Sequence, residues 1–179
     1  QEIGVKNIAI LFTDLKGSTR LYNEKGDAFS YKVVSDHFDI LIENAYKHEG
    51  AIVKTIGDAV MAIFLNPLNA IEYAINIQSS IDDLNEKLEE KFVSLKVGIH
   101  YGPALAVTMN EKLDYFGTTV NLAARTEGQC KGDDIVITKT LYNYPGVVEM
   151  LMEKKVKLEE FQTEIKGFDR SYSMVRILP

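Results

Sequence analysis

Hydrophobic residues follow two different periods along this chain. Residues 5–15 (VKNIAILFTDL) form a short β-branched and aromatic run that ends in a polar turn. Such a run predicts a buried strand. Residues 51–56 and 59–65 predict two more strands, and the Gly57-Asp58 pair between them is a hairpin signal. The pattern therefore predicts strand structure early in the chain and a tight hairpin after it.

Three other segments have the helical period. Residues 16–27 contain helix-start and turn residues, and residues 28–50 place apolar side chains at helical spacing before a stop at Gly50. Residues 67–91 predict a second long amphipathic helix with Pro67 in its first turn. A third helix is predicted over residues 117–132, where Gly132 ends the pattern.

The second half of the chain predicts further strands. Residues 93–102 are one strand, residues 103–109 its antiparallel partner, and residues 110–114 the connection that follows. Residues 134–138 and 171–178 are two more strands. The segment 139–160 has a weaker pattern, which we interpret as a short helix and then a strand.

Hairpins mixed with helical crossovers predict an α+β fold. We expect a ferredoxin-like, palm-like sheet that is mixed but mostly antiparallel, with helices packed on one face. Residues 1–179 are expected to form a single domain with its core over about residues 6–177. Such a sheet leaves a second face to be covered, and a partner subunit is one way to cover it.

Composition narrows the functional classes. Hydrophobic residues make up 46% of the chain and charged residues 26%, which is ordinary for a globular protein. The net charge of −6 argues against a nucleic-acid partner, which normally requires a basic face. Cys130 is the one cysteine and cannot form an internal disulfide, so we expect a reducing, cytoplasmic setting.

Two aspartates are the first candidates for chemistry. Asp14 follows the first predicted strand, and Asp58 lies in the hairpin turn. If these strands are neighbours, the carboxylates meet, and a close pair indicates a divalent cation site. The alternative is that Asp14 caps a helix and Asp58 serves the turn. Lys54 adds a second question, because it could form an ion pair with Asp58 or belong to a site.

Two further groups are weaker signals by themselves. Gly17, Ser18 and Thr19 could present backbone N–H groups to an anion at a helix start, but the same residues also serve as plain caps. No P-loop pattern is present. Asn121 and Arg125 share one face of the third helix. Taken alone, that spacing favours a solvated polar stripe.

The motifs FTDLKGST, VKTIGDAV, LDYFGTTVNLAAR and IKGF together resemble the catalytic domains of class III nucleotidyl cyclases, over about residues 6–177. The adenylate type of the bacterial adenylate/guanylate cyclase family is the most similar. The resemblance implies a phosphorus-oxygen lyase that converts ATP to 3′,5′-cyclic AMP and pyrophosphate. It also implies two Mg²⁺ (or Mn²⁺) ions as cofactors.

The resemblance implies a role for each candidate residue. Asp14 and Asp58 match metal-binding aspartates, assisted by the carbonyl of Leu15. The backbone of Gly17, Ser18 and Thr19 would touch the triphosphate. Lys54 and Asp114 match the pair that selects the purine. Asn121 matches the asparagine that orients the ribose, and Arg125 matches the arginine that stabilises the transition state. Lys166 matches the lysine that binds the terminal phosphates.

The base-selecting pair favours ATP over GTP. Adenine offers the N1 acceptor beside the N6 donor, which a lysine and an aspartate complement. Related guanylyl cyclases resemble this arrangement with an acidic residue at the lysine position. Lys54 and Asp114 keep the adenine pattern. The alternative within the family is a guanylate or mixed-specificity cyclase.

In the family that this sequence resembles, each site is shared across a dimer. Both halves of the residue set are present in this one chain, which implies a homodimer with two equivalent sites. A regulatory domain outside this segment is also expected, and membrane attachment of a longer parent protein stays open. An alternative of another class is a non-catalytic nucleotide-binding regulatory module on the same fold.

Overall fold

The computed structural model describes residues 2–179, and its backbone contains eight strands. Residue 1 lies outside the described part. The strands are β1 (Glu2–Lys16), β2 (Gly50–Ile56), β3 (Ala59–Phe64), β4 (Ser94–Met109), β5 (Lys112–Phe116), β6 (Asp134–Thr138), β7 (Lys157–Glu164) and β8 (Ser171–Leu178).

Six helices alternate with these strands. They are α1 (Ser18–Lys25), α2 (Asp27–Lys47), α3 (Pro67–Lys87), α4 (Thr118–Glu127), α5 (Lys139–Tyr142) and α6 (Val147–Glu153). Asn66 caps the start of α3 by accepting a hydrogen bond from the N–H of Leu68, and Pro67 occupies the first turn as the sequence predicts.

All strands belong to one sheet with the order β2-β3-β1-β4-β6-β8-β7, and β5 pairs with β4. The β4–β6 pair is parallel and the other pairs are antiparallel. The expected α+β class with a mostly antiparallel sheet is confirmed. The expected neighbourhood of the first strand and the hairpin is also confirmed, because β1 pairs with β3.

The alternation of side chains along β1 builds a core on each face of the sheet. Ala9 and Leu11 belong to the larger cluster, which is covered by α2 and α3. Ile8 and Ile10 belong to a smaller cluster on the other face, where Ala123 of α4 packs. Most helices therefore share one face as expected, and the structure adds that α4 lies on the opposite face.

Several predicted boundaries are wrong. Residues 103–109 are not a separate partner strand. They continue β4, which pairs with β1 along its whole length. Residues 112–114, predicted as part of a connection, begin β5. The third helix ends at Glu127 rather than near Gly132, because the chain turns there to enter β6.

The segment 139–160 contains more helix than predicted. A short helix, α5, is followed by a second one, α6, before β7 begins. Leu141, Val147 and Leu151 of these helices are buried in the larger core cluster. This burial anchors the segment although its sequence pattern is weak.

Candidate active site

Strand pairing brings the two candidate aspartates together. Thr13 of β1 is in register with Val60 of β3, so Asp14 at the end of β1 lies beside the Gly57-Asp58 turn. The two carboxyl groups are close enough for Asp58 to shift the pKa of Asp14. The sheet therefore joins residues that are far apart in sequence into one acidic pair.

Neither aspartate makes the contacts of a helix cap or of a simple turn residue. Helix α1 starts after Gly17, and no side chain caps its N-terminus. Asp14 instead accepts a hydrogen bond from the N–H of Leu15 at 2.9 Å. Asp58 accepts a hydrogen bond from the hydroxyl of Ser18 at 2.6 Å. The alternatives of a helix cap and of a simple turn residue are therefore disfavoured.

The acidic pair carries unfavourable electrostatics. Burial, followed by the hydrogen bond and the charge of Asp58, raises the pKa of Asp14 to about 6, against the opposing effects of Leu15 N–H and Lys96. Burial, followed by the charge of Asp14, also raises the pKa of Glu127 to about 7. Cross-strand register places Lys96 directly opposite Asp14. A bound cation would relieve this repulsion between carboxylates.

The donor set fits a hard divalent cation. Two carboxylates at close range offer the oxygen ligands that Mg²⁺ and Mn²⁺ prefer. Within residues 2–179 no group of three or more His, Cys, Asp or Glu side chains is arranged to hold a metal ion. A cation at Asp14 and Asp58 would therefore complete its coordination with backbone carbonyls, water or the phosphates of a ligand.

The two residues expected to select the base are in contact. Nζ of Lys54 donates a hydrogen bond to Oδ2 of Asp114 at 2.8 Å, linking β2 to β5. The β2–β3 register shifts between Ile52 and Lys54, and such a bulge re-aims the side chains next to it. Burial alone would raise the pKa of Asp114, but the hydrogen bonds from Lys54 and Tyr115 and the charge of Lys54 lower it.

Lys54 also borders a largely apolar cavity of about 640 Å³. Its walls include Ile52, Val53, Leu113 and Tyr115. A flat aromatic ring suits such walls, and the Lys54–Asp114 pair supplies a donor and an acceptor at the edge. The alternative of a Lys54–Asp58 ion pair is not observed, because the two side chains bond to different partners.

The other three candidate residues line a second cavity of about 450 Å³. Asn121 and Arg125 project from α4, and Lys166 comes from the turn between β7 and β8. Asn121 and Arg125 are both exposed, as a solvated stripe would be, but Lys166 closes the stripe into a polar, cation-rich recess. This recess suits an anion such as a polyphosphate.

Helix α4 points its polar residues in two directions. Successive residues are rotated by about 100°, so Arg125 and Glu127 lie on opposite sides of the helix. Glu127 lies near Asp14 and Asp58, whereas Arg125 lines the second cavity. The helix comes this close to the sheet because Gly98 has no side chain, and a Cβ there would lie 2.2 Å from the backbone nitrogen of Glu127.

Sequence reasoning missed Lys96 and Glu127. Lys96 lies two residues before Gly98 in a strand that alternates in an ordinary way, and Glu127 ends a helix in which acidic residues are common. Only the strand register and the packing of α4 place them beside the aspartates. In the described residues, no helix is both long and apolar enough to cross a membrane.

Comparison with known proteins is consistent with this geometry. The family model described as the adenylate and guanylate cyclase catalytic domain matches residues 2–174. The adenylate cyclase of Lachancea kluyveri is 28% identical over 91% of this chain, which spans 10% of that protein. Guanylate cyclase 32E of Drosophila melanogaster is 32% identical over 89% of this chain, which spans 14% of it.

Solved structures share the fold. The adenylyl cyclase CyaB from P. aeruginosa superposes with a TM-score of 0.85 and 22% identity, covering 100% of this chain and 97% of that one. The similarity in fold thus extends over nearly the whole of both chains. It spans well under half of the curated relatives that it matches.

Proposed function

This chain belongs to the adenylate and guanylate cyclase catalytic domain family, and on that premise we propose that it is an adenylate cyclase. The reaction would convert ATP to 3′,5′-cyclic AMP and pyrophosphate. The observation that carries the proposal is the close Asp14–Asp58 pair, whose repulsion is only partly offset by Lys96, opposite Asp14. Such a pair suits a metal-bound nucleotide.

The chemistry follows from the residue types. The 3′-hydroxyl oxygen of ATP forms a bond to the α-phosphorus, the bond from that phosphorus to the bridging oxygen breaks, and pyrophosphate leaves. Asp14 and Asp58, with the carbonyl of Leu15, would hold two divalent cations. When bound, these cations would lower the pKa of the hydroxyl and neutralise charge on the phosphates. The Asp14 carboxylate would receive the released proton.

The remaining side chains would bind and orient the nucleotide. Lys54 would donate to N1 of adenine, and Asp114 would accept from N6. Asn121 would orient the ribose, and Arg125 would neutralise the charge that develops on the α-phosphoryl group. Lys166 would contact the terminal phosphates, and the backbone of Gly17, Ser18 and Thr19 would approach them from the other side.

We infer that each site is built from two copies of the chain. The rotation between Arg125 and Glu127 supports this inference, since Arg125 points away from the aspartates of its own chain. A two-fold partner would bring its Arg125 to them. One copy would supply Asp14 and Asp58, and the other would supply Lys54, Asp114, Asn121, Arg125 and Lys166.

Turnover of ATP and of GTP, with Mg²⁺ and with Mn²⁺, tests the function across a range of protein concentrations. We expect cyclic AMP as the main product and a specific activity that rises with dimer formation. A larger rate with GTP would contradict the adenylate assignment and favour a guanylate cyclase, which the similarity to the fly enzyme makes the second candidate. No cyclic product from either nucleotide would favour a non-catalytic module.

Base choice has its own test in the Lys54–Asp114 pair. Replacing Lys54→Glu together with Asp114→Ser presents an acceptor where adenine needs a donor. We expect the ratio of ATP to GTP turnover to fall at least about tenfold, the scale of losing one good pair of base contacts. An unchanged ratio would show that other residues select the base.

The shared site predicts complementation. Asp14→Ala and Arg125→Ala chains would each be inactive alone, and a mixture would contain heterodimers with one intact site. We expect part of the activity to return upon mixing. If dimers form and no activity returns, both halves of the site belong to one chain.

A further inference from the structure

One hydroxyl links the acidic pair to the loop that begins α1. Oγ of Ser18 donates to Oδ2 of Asp58 at 2.6 Å, and the two residues are 40 positions apart in sequence. The contact is half-buried, so water competes for it less than at an open surface. A hydrogen bond to a charged acceptor at this distance is a strong one.

The same short segment fixes one oxygen of each carboxylate. The N–H of Leu15 donates to Oδ1 of Asp14 at 2.9 Å, and Ser18 donates to Oδ2 of Asp58. Among residues 2–179, no donor bonds to Oδ2 of Asp14 or to Oδ1 of Asp58. Each carboxylate thus has one oxygen tied to this segment, and its other oxygen is available to a cation in place of the facing carboxyl group.

The backbone sets the position of the hydroxyl. Gly17 adopts a left-handed conformation with φ 103° and ψ −2°, which turns the chain so that Ser18 opens α1. A Cβ on Gly17 would also lie 3.2 Å from the carbonyl oxygen of Phe92. A side chain at Gly17 is therefore unfavourable for two reasons, and the turn that places Ser18 beside Asp58 is specified by glycine.

We propose that Ser18 is a positioning residue. Its hydroxyl orients the Asp58 carboxylate for cation binding and ties that carboxylate to the loop at the start of α1, which would face the triphosphate. This role rests on the proposed function, because it deepens the cation site of that function. It is distinct from the expected contact between the Ser18 backbone and the triphosphate. Without the hydroxyl, the carboxylate rotates freely and must be ordered by the cation itself, which weakens binding.

The test uses Mn²⁺ alone as the probe and the intact chain. Mn²⁺ binding is followed by the electron paramagnetic resonance signal of the free ion. Binding at this site is defined as the fraction of bound Mn²⁺ that is lost in the double variant Asp14→Asn with Asp58→Asn. We expect Ser18→Ala to weaken Mn²⁺ affinity at this site about tenfold, the lower end of the effect of removing a hydrogen bond that orients a metal ligand. Ser18→Thr keeps the hydroxyl and should restore binding to within about twofold.

Ser79→Ala, a serine exposed on α3 away from the site, is the matched control and should bind as the wild type does. Equal weakening by Ser18→Ala and Ser79→Ala, or a Ser18→Ala titration that superposes on the wild type, would overturn the proposal. So would a wild-type chain that binds no Mn²⁺ at the aspartates. Thermal unfolding of each variant confirms that the compared chains are folded.

Cyclic nucleotide turnover separates this inference from the proposed function. If Ser18→Ala binds Mn²⁺ weakly and the wild type makes no cyclic product, the positioning role stands and the cyclase assignment fails. If the wild type is an active cyclase and Ser18→Ala binds Mn²⁺ normally, the cyclase assignment stands and the positioning role fails. If the cyclase assignment and the positioning role both hold, Ser18→Ala should need about tenfold more Mn²⁺ for half-maximal turnover.

Discussion

Asp14 and Asp134 lie two strands apart in the same sheet, and their surroundings are opposite. Lys96 of β4 is in register with both, with Asp14 on β1 and with Asp134 on β6. Asp134 bonds to the guanidinium of Arg176, whereas Asp14 faces a second carboxylate, that of Asp58. One aspartate is fully paired within the protein and the other is not.

The Asp134 network is closed. Its oxygens accept hydrogen bonds from the N–H groups of Lys131 and Gly132 and from Nε of Arg176, and its side chain is 1% exposed. Arg176 also donates to the carbonyl of Gln129. Every strong donor and acceptor in this group has an internal partner, so it can stabilise the fold but has no free ligand for a substrate.

The Asp14–Asp58 pair, by contrast, lacks a complete set of partners within the protein. The raised pKa of Asp14 indicates that two facing carboxylates are costly in an isolated chain, and they gain from an external cation. The difference teaches that burial and charge alone do not identify an active site. The informative feature is a charged group whose partners inside the protein are incomplete.

The largest expected effect separates chemistry from stability. Asp58→Asn keeps the shape of the side chain and an oxygen for Ser18, but it removes the charge that a cation needs. We expect turnover to fall about 10³-fold, the scale of removing a main electrostatic group from an active site. Unfolding stability should stay equal or rise, because a like-charge contact disappears. Cyclic nucleotide assays and urea unfolding measure the two quantities.

Loss of stability together with loss of turnover in Asp58→Asn would contradict the comparison. The acidic pair would then be a structural element, and its expected cation would act as part of the fold.

The second largest effect is expected at Arg176, where stability should fall and turnover should change little. Arg176→Ala leaves Asp134 buried without its cation and removes the stacking of the guanidinium over Phe161. We expect a loss of about 3 kcal/mol in unfolding free energy, as for breaking a buried pair. Turnover per folded molecule should change less than about twofold, since no substrate contact is lost. Urea unfolding and an assay at low temperature measure both.

Arg176→Lys is the matched variant, since it keeps the charge but loses the planar fork that reaches three acceptors, on Asp134, Glu159 and Gln129. It should lie between the wild type and Arg176→Ala. An unchanged unfolding midpoint for Arg176→Ala would show that the Asp134–Arg176 hydrogen bonds do not stabilise the fold.

A smaller effect concerns pH in the protein without metal or nucleotide. The pKa of Asp14 is raised to about 6 in the folded chain, so the folded state holds a proton that the unfolded state has released. The part of the stability that Asp14 controls should therefore fall as pH rises from about 4 to about 6 and then level off. Asp14→Asn should lose this part of the pH dependence and gain about 1 kcal/mol at pH 7, after allowing for solvent screening.

Thermal unfolding of both chains between pH 4 and pH 8 measures the difference. A gap between the two that widens toward acid would contradict the assigned direction. Saturating Mn²⁺ should narrow the gap at pH 7, because the cation neutralises the pair only in the wild type.

The smallest expected effect tests whether any ion pair would behave like the Arg176 pair. Lys32 and Asp36 form an exposed pair on α2 at 2.6 Å, one helical turn apart. Such pairs contribute little because water and salt screen them. We expect no resolvable change in the urea unfolding midpoint for Lys32→Ala. A shift as large as that of Arg176→Ala would mean that burial is not what distinguishes the two pairs.

Local pattern was sufficient for much of the fold. The first strand, the hairpin at Gly57-Asp58 and the two long helices follow from periodicity and turn residues, and the β1–β3 contact follows from the expected sheet. The error at residues 103–109 has a tertiary cause. Pro103 reads as a break, but β4 has no paired strand on its other edge between residues 99 and 105 of the described chain, so a proline is tolerated there.

The end of α4 was also decided by distant residues. The helical pattern continues toward Gly132, but the chain after Glu127 is held by Arg176 at the carbonyl of Gln129 and by Asp134 at two backbone N–H groups. These bonds turn the segment into β6. No pattern within residues 117–132 contains that information.

The sequence by itself determined which positions face a core and which residues are candidates for chemistry. Asp14 and Asp58 stand out by type and place along the chain, because turn chemistry and periodicity are local properties, whereas Arg125 became a candidate only through the family resemblance. Only the tertiary structure decided the partners: Lys54 with Asp114, Ser18 with Asp58, and Lys96 between Asp14 and Asp134. Partners depend on strand register and helix packing, which arise from contacts between residues far apart in sequence, and electrostatics then depends on those partners.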